Sequence, residues 1–325
     1  MEKFTNLNES IEVANTLELL GLFFKKKGIL DKSLESYQKS LQIKQSLFGE
    51  NHVETTNSFK NVGVLYAQMA NFDEAIKFQE KALKINQNLF GEIHPDVADS
   101  YFQLGSLYSR LEHLEKSQEY YAKSLKIYEN YYGRNHLKVA NTYLMLGWLS
   151  EQKKEFKKAF EFFSHSLEIK KGIFGEIHLE TSEIYNKIGL MFMRMKDFEK
   201  AIEYFYRSQD IILKIFGENH PKITQNYNNL AEIFTNSEKY EQAEIFFSKS
   251  LQISLKLFGE NHPDTIDINF KLTKLYEKMS KFAEAFQLAE KVFKSTREIY
   301  GDNNAKSKKM KEWFNVLKEK SEIKK

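Results

Sequence analysis

Six histidines recur at one spacing: His52, His94, His136, His178, His220 and His262, each 42 residues after the last. Imidazole is a common metal ligand and general base, so a row of six invites a metal or proton-transfer reading. The spacing argues against it. Zinc needs three or four ligands within about 2.3 Å of one ion. If each 42-residue stretch is one layer of a stack of helices, neighbouring histidines lie about a helix diameter, ~10 Å, apart and cannot share an ion. His113 and His165 carry no pattern. A Glu that follows the glycine of a Phe-Gly-Glu tripeptide recurs at the same interval, and is read as a cap or loop contact rather than half of an acid–base pair. These glycines never cluster as a phosphate-binding loop does. The chain has no cysteine, which removes thiol catalysis, disulfides and cysteine metal sites. The residues therefore predict a protein that is not an enzyme and has no cofactor and no metal.

The elements behind the histidines come from the rarest residues. Phe48-Gly49-Glu50 returns as Phe90-Gly91-Glu92, Tyr132-Gly133-Arg134, Phe174-Gly175-Glu176, Phe216-Gly217-Glu218, Phe258-Gly259-Glu260 and Tyr300-Gly301-Asp302. Gly21, Gly63, Gly105, Gly147 and Gly189 keep the same period, and Pro95, Pro221 and Pro263 share one place four residues after the loop glycine. Within a period the apolar residues follow helical spacing. Val97, Tyr101, Leu104 and Tyr108 stripe a first helix, and Leu114, Ser117, Tyr121, Ser124, Leu125 and Ile127 a second. A break near Glu112 separates them, and Gly133 ends the second helix in a left-handed conformation. His-Pro then opens the next helix, because proline is tolerated in the first turn.

Seven helical hairpins are predicted, over residues 10–51, 52–93, 94–135, 136–177, 178–219, 220–261 and 262–303. A nine-residue extension, 1–9, precedes them. Residues 304–325 read as a capping helix with Met310, Trp313, Phe314 and Leu317 on one stripe and a lysine-rich remainder, which suits the polar end of a solenoid. A solvated capping face outweighs a nucleic-acid or membrane patch there, because acidic residues are interspersed. A net charge of +3 gives no reason to expect nucleic acid. No stretch approaches the ~20 apolar residues of a membrane span, and the first residues lack a signal-peptide core. An unprocessed, intracellular, cytoplasmic protein is expected.

The recurring pattern resembles the tetratricopeptide repeat. Its first-helix aromatic, Leu-Gly and Tyr appear as Tyr101, Leu104-Gly105 and Tyr108. Its second-helix small residue appears as Ser33, Ala75, Ser117, Ala159, Ala201, Ala243 and Ala285, followed by Tyr37, Tyr121, Phe163, Phe205 and Phe247. The usual period of that family is 34. The longer form here is similar to the repeat of kinesin light chains, best seen in Tyr227-Asn228-Asn229-Leu230-Ala231, Lys239-Tyr240-Glu241-Gln242-Ala243-Glu244 and Leu257-Phe258-Gly259-Glu260-Asn261-His262-Pro263. The resemblance implies an all-α, right-handed α-solenoid superhelix with a concave groove lined by first helices. No coiled coil of the motor-binding kind lies in the nine residues before the repeats, so a light-chain-like repeat protein is expected rather than a motor subunit.

Reading the groove-facing positions gives Lys60, Asn61, Phe102, Arg110, Leu144, Trp148, Asn186, Leu190, Arg194, Asn228 and Asn229 as a candidate peptide-binding groove. An apolar centre (Phe102, Leu144, Trp148, Leu190) is flanked by two arginines, with asparagines beyond to bond an extended backbone. The competing reading makes the aromatics core. The carboxylate clamp of chaperone-binding relatives is absent, since Lys60 is followed by Val64 at its partner position. The expected function is a non-catalytic adaptor or scaffold that binds a protein or peptide partner. The alternatives are an architectural subunit of a microtubule- or cilium-associated assembly and, more weakly, the sensing region of a regulatory system. The oligomeric state is left open.

Overall fold

The computed structural model describes residues 10–323; the predicted extension 1–9 lies outside them. Among the described residues all regular structure is α-helical. Short helices of 16 residues alternate with long ones of 19. The short helices are α1 (Ile11–Lys26), α3 (Val53–Gln68), α5 (Pro95–Arg110), α7 (Leu137–Gln152), α9 (Leu179–Arg194), α11 (Pro221–Asn236) and α13 (Pro263–Lys278). Their long partners are α2 (Leu30–Phe48), α4 (Phe72–Phe90), α6 (Leu114–Tyr132), α8 (Phe156–Phe174), α10 (Phe198–Phe216), α12 (Tyr240–Phe258) and α14 (Phe282–Tyr300). A last helix, α15 (Ala305–Ile323), follows. It begins 42 residues after Pro263, so it stands in the register of one more short helix. The chain divides into two compact units, one ending at Ile173 and the next starting at Phe174.

The histidines turn out to be the pins of the repeat. Each of the six is the N-cap of a short helix, and its Nδ1 accepts the backbone N–H two residues on, at 3.2 Å in every copy. Each imidazole also stacks on the aromatic four residues earlier. Tyr132 and His136 have ring centroids 4.0 Å apart, and Phe216 and His220 3.9 Å. The loop glycine between them has φ near +77° with ψ near 180°, for example 77° and 177° at Gly91. The expected conformation was left-handed helical. The observed one belongs to a region open in practice to glycine alone.

The turn inside each hairpin closes differently. The short helix ends with a 6→1 backbone bond, such as Asn71 N–H to Tyr66 O at 2.9 Å, and the residue before it takes φ near +60°. Gly28 fills that place in the first repeat. In the others it is Ala70, Glu112, Lys154, Lys196, Glu238 and Ser280, which pay for the left-handed backbone with steric strain.

Packing within a hairpin rests on a size match. In four hairpins the glycine of the short helix (Gly21, Gly105, Gly147, Gly189) faces an aromatic of the long one, and a Cβ on Gly147 would stand 2.6 Å from the Phe163 ring. Gly63 faces Gln79, and Ala231 takes the glycine's place in the sixth hairpin. The second-helix small residues, Ser33 to Ala285, are all fully buried, and Ser117 Oγ donates to Gly105 O at 2.7 Å. In the seventh hairpin both partners change together, with Thr273 in place of the glycine and Ala289 in place of the aromatic. Between hairpins, apolar clusters tie one layer to the next. Tyr37 and Leu41 of α2 pack on Phe59, Val62 and Leu65 of α3. Ile212 packs on Ile223 and Tyr227, and α15 sets Leu317 against Ala285 and Ala289.

Candidate functional site

The candidate residues all lie on short helices, on the side left free by the hairpin glycine. In the first unit Lys60 and Asn61 sit on α3, Phe102 and Arg110 on α5, and Leu144 and Trp148 on α7. Lys60 is held by Asp96, Nζ to Oδ1 at 3.3 Å. Phe102 lies edge-on to Tyr121 at 5.1 Å, and both it and Trp148 pack half-buried against Tyr121, Leu146 and Leu149. These two rings therefore belong to the core on one side and to the surface on the other. Leu144 and Asn61 are half-buried and Arg110 is exposed. The Arg110 guanidinium reaches the Ala67 carbonyl. Beneath Phe102, burial pushes the Tyr121 phenol up to about 12, with Ser106 and Arg110 acting the other way.

In the second unit Asn186, Leu190 and Arg194 sit on α9, and Asn228 and Asn229 on α11. Asn186 is a junction. Its amide donates to Asn226 Oδ1 at 2.9 Å and its oxygen accepts from Asn229 Nδ2 at 3.2 Å. Asn226 continues to Ser208 Oγ at 3.1 Å, which meets Ser182 Oγ at 2.9 Å. Asn228 presents a buried side-chain oxygen with no partner. Arg194 is exposed and Leu190 half-buried. On α13, burial works against the Lys271 ammonium. Hydrogen bonds and charge from Glu232 and Asp267 outweigh it and hold the group above the usual lysine range.

The sequence reading missed the hollows between these helices and the residues that floor them. They come in two kinds, and each kind recurs in register. One lies between the C-terminal halves of successive short helices. Val64, Ala67, Gln68, Gln103, Ser106 and Arg110 line it in the first unit. Glu232, Thr235, Asn236, Lys271, Lys274 and Lys278 line it, position for position four repeats on, in the second. The other kind lies nearer the N-terminal ends. Ser182, Glu183, Asn186 and Leu190 of α9, Ser208 and Ile212 of α10, and Lys222 and Gln225 of α11 enclose about 210 Å³. Its counterpart two repeats later is enclosed by Ile266, Asp267 and Phe270 of α13, Val292 and Thr296 of α14, and Lys306, Lys309 and Met310 of α15, with about 390 Å³. The first is lined with amides and hydroxyls, the second with hydrocarbon. Among the described residues no group of His, Asp and Glu could hold a metal ion, and no helix is long and apolar enough to cross a membrane.

A sequence profile described as "Tetratricopeptide repeat" matches residues 12–88, 61–130, 96–172, 180–244 and 222–298. No curated protein sequence matches the chain. Among solved structures, BtubC (BKLC) from P. vanneervenii superposes with a TM-score of 0.63 at 22% identity, over 71% of this chain and 92% of that one. A Podospora anserina kinesin light chain with nearly identical TPR-like repeats gives 0.56 at 16% identity, over 64% and 98%. The apo form of RapI gives 0.55 at 17% identity, over 82% and 97%. At these identities the likeness is one of fold.

Proposed function

Because the chain belongs to the tetratricopeptide-repeat family, whose fold serves generally as a scaffold for protein–protein interaction, we propose that it is a non-catalytic adaptor binding a peptide segment of a partner along the exposed faces of its short helices. One observation carries this reading. The positions that pack the hairpins change little from copy to copy, whereas the positions that line the hollows range from charged to amide to apolar. Lys60, Phe102, Leu144, Asn186, Asn228 and Phe270 occupy one place in six successive repeats. A purely architectural surface has no reason to hold such different chemistry at equivalent sites. Recognition does, because specificity comes from a few side chains that differ from their neighbours.

The candidate residues suit that role in two ways. Phe102, Trp148 and Leu144 offer a half-buried apolar patch anchored from below, which keeps it rigid before a partner arrives. Asn186, Asn228 and Asn229 offer amides that can both donate to and accept from an extended backbone. The test is selection of peptides from a display library on the purified chain. Enriched peptides should lose at least tenfold in affinity on Trp148→Ala with Arg110→Glu, or on Asn186→Ala with Leu190→Glu, in variants with unchanged circular dichroism. A library that enriches nothing, or peptides indifferent to all four substitutions, would remove this reading.

A further inference from the structure

A hollow of another kind opens at the seventh hairpin, between the long helices α12 and α14, and encloses about 300 Å³. Three changes of residue shape it. In the second to sixth repeats one place on the short helix holds an aromatic ring: Phe59, Tyr101, Tyr143, Tyr185 and Tyr227. Each ring lies against an aromatic of its long helix, with centroids between 5.8 and 6.1 Å apart. The seventh hairpin lacks both rings. Asn269 stands in place of the first and Leu288 in place of the second. A third place, Ile43 to Ile253 in the six earlier repeats, is Ser295 in the seventh. Asn269, Leu288 and Ser295 all line the hollow. It therefore occupies space that large side chains fill elsewhere in the chain.

The lining sets the chemistry of an occupant. Leu251 and Leu255 of α12 and Leu288 of α14 supply hydrocarbon. Asn269 and Ser295 are each 8% exposed, and neither side chain has a hydrogen-bond partner among the described residues. A buried amide or hydroxyl in that state is destabilising until something bonds it. At the rim stands Glu260, in the place of Glu176. Glu176 accepts the Tyr185 hydroxyl at 2.9 Å, whereas Glu260 has no tyrosine at the equivalent place to accept from. Lys291 and Lys294 balance Glu260 and Glu298 around the opening, so the rim suits a neutral ligand.

A cavity left where a large side chain is missing takes up a molecule of that shape from outside. We infer that this hollow binds a small neutral phenol with a polar group para to its hydroxyl. The ring lies among Leu251, Leu255 and Leu288. Its hydroxyl donates to Glu260 as Tyr185 donates to Glu176, and the para group bonds the Asn269 amide and the Ser295 hydroxyl, each of which can both donate and accept. The inference stands apart from the peptide-adaptor reading, because none of the candidate groove residues lines this hollow.

The probe is 4-hydroxybenzamide, titrated into the full chain by isothermal calorimetry. Saturable binding at one site is expected, with a Kd below about 1 mM. Benzamide, which lacks the hydroxyl, should bind at least tenfold more weakly, and Glu260→Ala should weaken the probe to the same degree. The decisive variants restore what other repeats carry. Asn269→Tyr and Ser295→Ile each refill the hollow, so each should abolish binding and raise the melting temperature. Failure to saturate within the solubility of the probe overturns the inference. So does binding within twofold of the original in either refilled variant, with circular dichroism unchanged, since the ligand then sits elsewhere. A lower melting temperature in both refilled variants also overturns it, because the hollow is then not space a side chain can fill. Equal binding of benzamide removes the phenol assignment. A Gly-Tyr-Gly peptide with blocked ends should bind at least tenfold more weakly than the probe; tighter binding would give the hollow to a tyrosine of a partner protein and overturn the small-molecule assignment.

Discussion

His136 shows how one residue can look like chemistry and act as architecture. Its Nδ1 accepts the Lys138 N–H while its ring stacks on Tyr132. The cap and the stack are separable. His136→Ala removes both and should cost about 1 kcal/mol, the usual worth of an N-cap. His136→Asn restores the acceptor without the ring and should recover part of that loss. Urea denaturation of the two variants checks the order. Tyr121 gives a second prediction at this scale. Its folded-state pKa, pushed up to about 12 by burial, lies above the ordinary value of 10.0. The group it belongs to is neutral when protonated, so its contribution to stability is intact below pH 10 and is lost as pH rises through about 12. Tyr143 and Tyr276 also rise to about 12, through burial first and then Glu129 and Glu244 respectively. Absorbance at 295 nm should therefore show a late-ionising group that coincides with loss of helix, and Tyr121→Phe should remove one phenol from it.

At the scale of the helix, the hairpin is set by the fit between Gly147 and Phe163. Phe163 is fully buried and cannot swing away from a new methyl group. Gly147→Ala should destabilise by roughly 1–3 kcal/mol, the cost of overpacking. The seventh hairpin solves the same problem in reverse with Thr273 and Ala289, so Gly147→Ala combined with Phe163→Leu should recover part of the loss in thermal melts. The turn offers the opposite sign. Lys154 sits at φ 61°, and Lys154→Gly should stabilise by about 1 kcal/mol, because the left-handed strain relieved exceeds the chain entropy lost. These features separate what could be read from the residues from what could not. Gly, His and Pro announced the hairpins, since each has a backbone demand that recurs every 42 residues. Ala70 to Ser280 announced nothing, because their strained backbone is imposed by the bonds around it and not by their side chains. The hollows were hidden for another reason. Ser182, Ser208 and Lys222 come from three helices and meet only after stacking. Lys306 belongs by its charge pattern to a solvated cap, and only its register with Lys222 puts it on the rim of the hollow beside α13 and α14.

Within each unit, a hairpin depends on a neighbour to finish its core. Leu20 and Phe23 of α1 are 41% and 52% exposed. Their equivalents in the six later repeats, Val62 to Leu272 and Leu65 to Leu275, are exposed by 5% or less. The far end is closed differently, since α15 buries Leu317 completely against α14. In a stack held by nearest-neighbour contacts, stability is a sum of local terms, and a layer covered on one side lacks one of them. Leaving two large apolar side chains about half exposed forgoes roughly 1–3 kcal/mol of burial. The first hairpin should therefore open well before the interior ones. Hydrogen exchange followed by mass spectrometry is the measurement, because it reports opening free energies segment by segment. Amides of α1 and α2 should exchange at least tenfold faster than those of α5 and α6, whose helices have the same lengths. Substituting Leu20→Ala should barely change global stability, whereas Leu104→Ala, at the same repeat position but fully buried, should cost about 2–5 kcal/mol. Equal protection along the chain, or equal penalties for the two substitutions, would mean that the hairpins unfold as one cooperative block and that the uncovered face of α1 makes no difference to how the stack holds together.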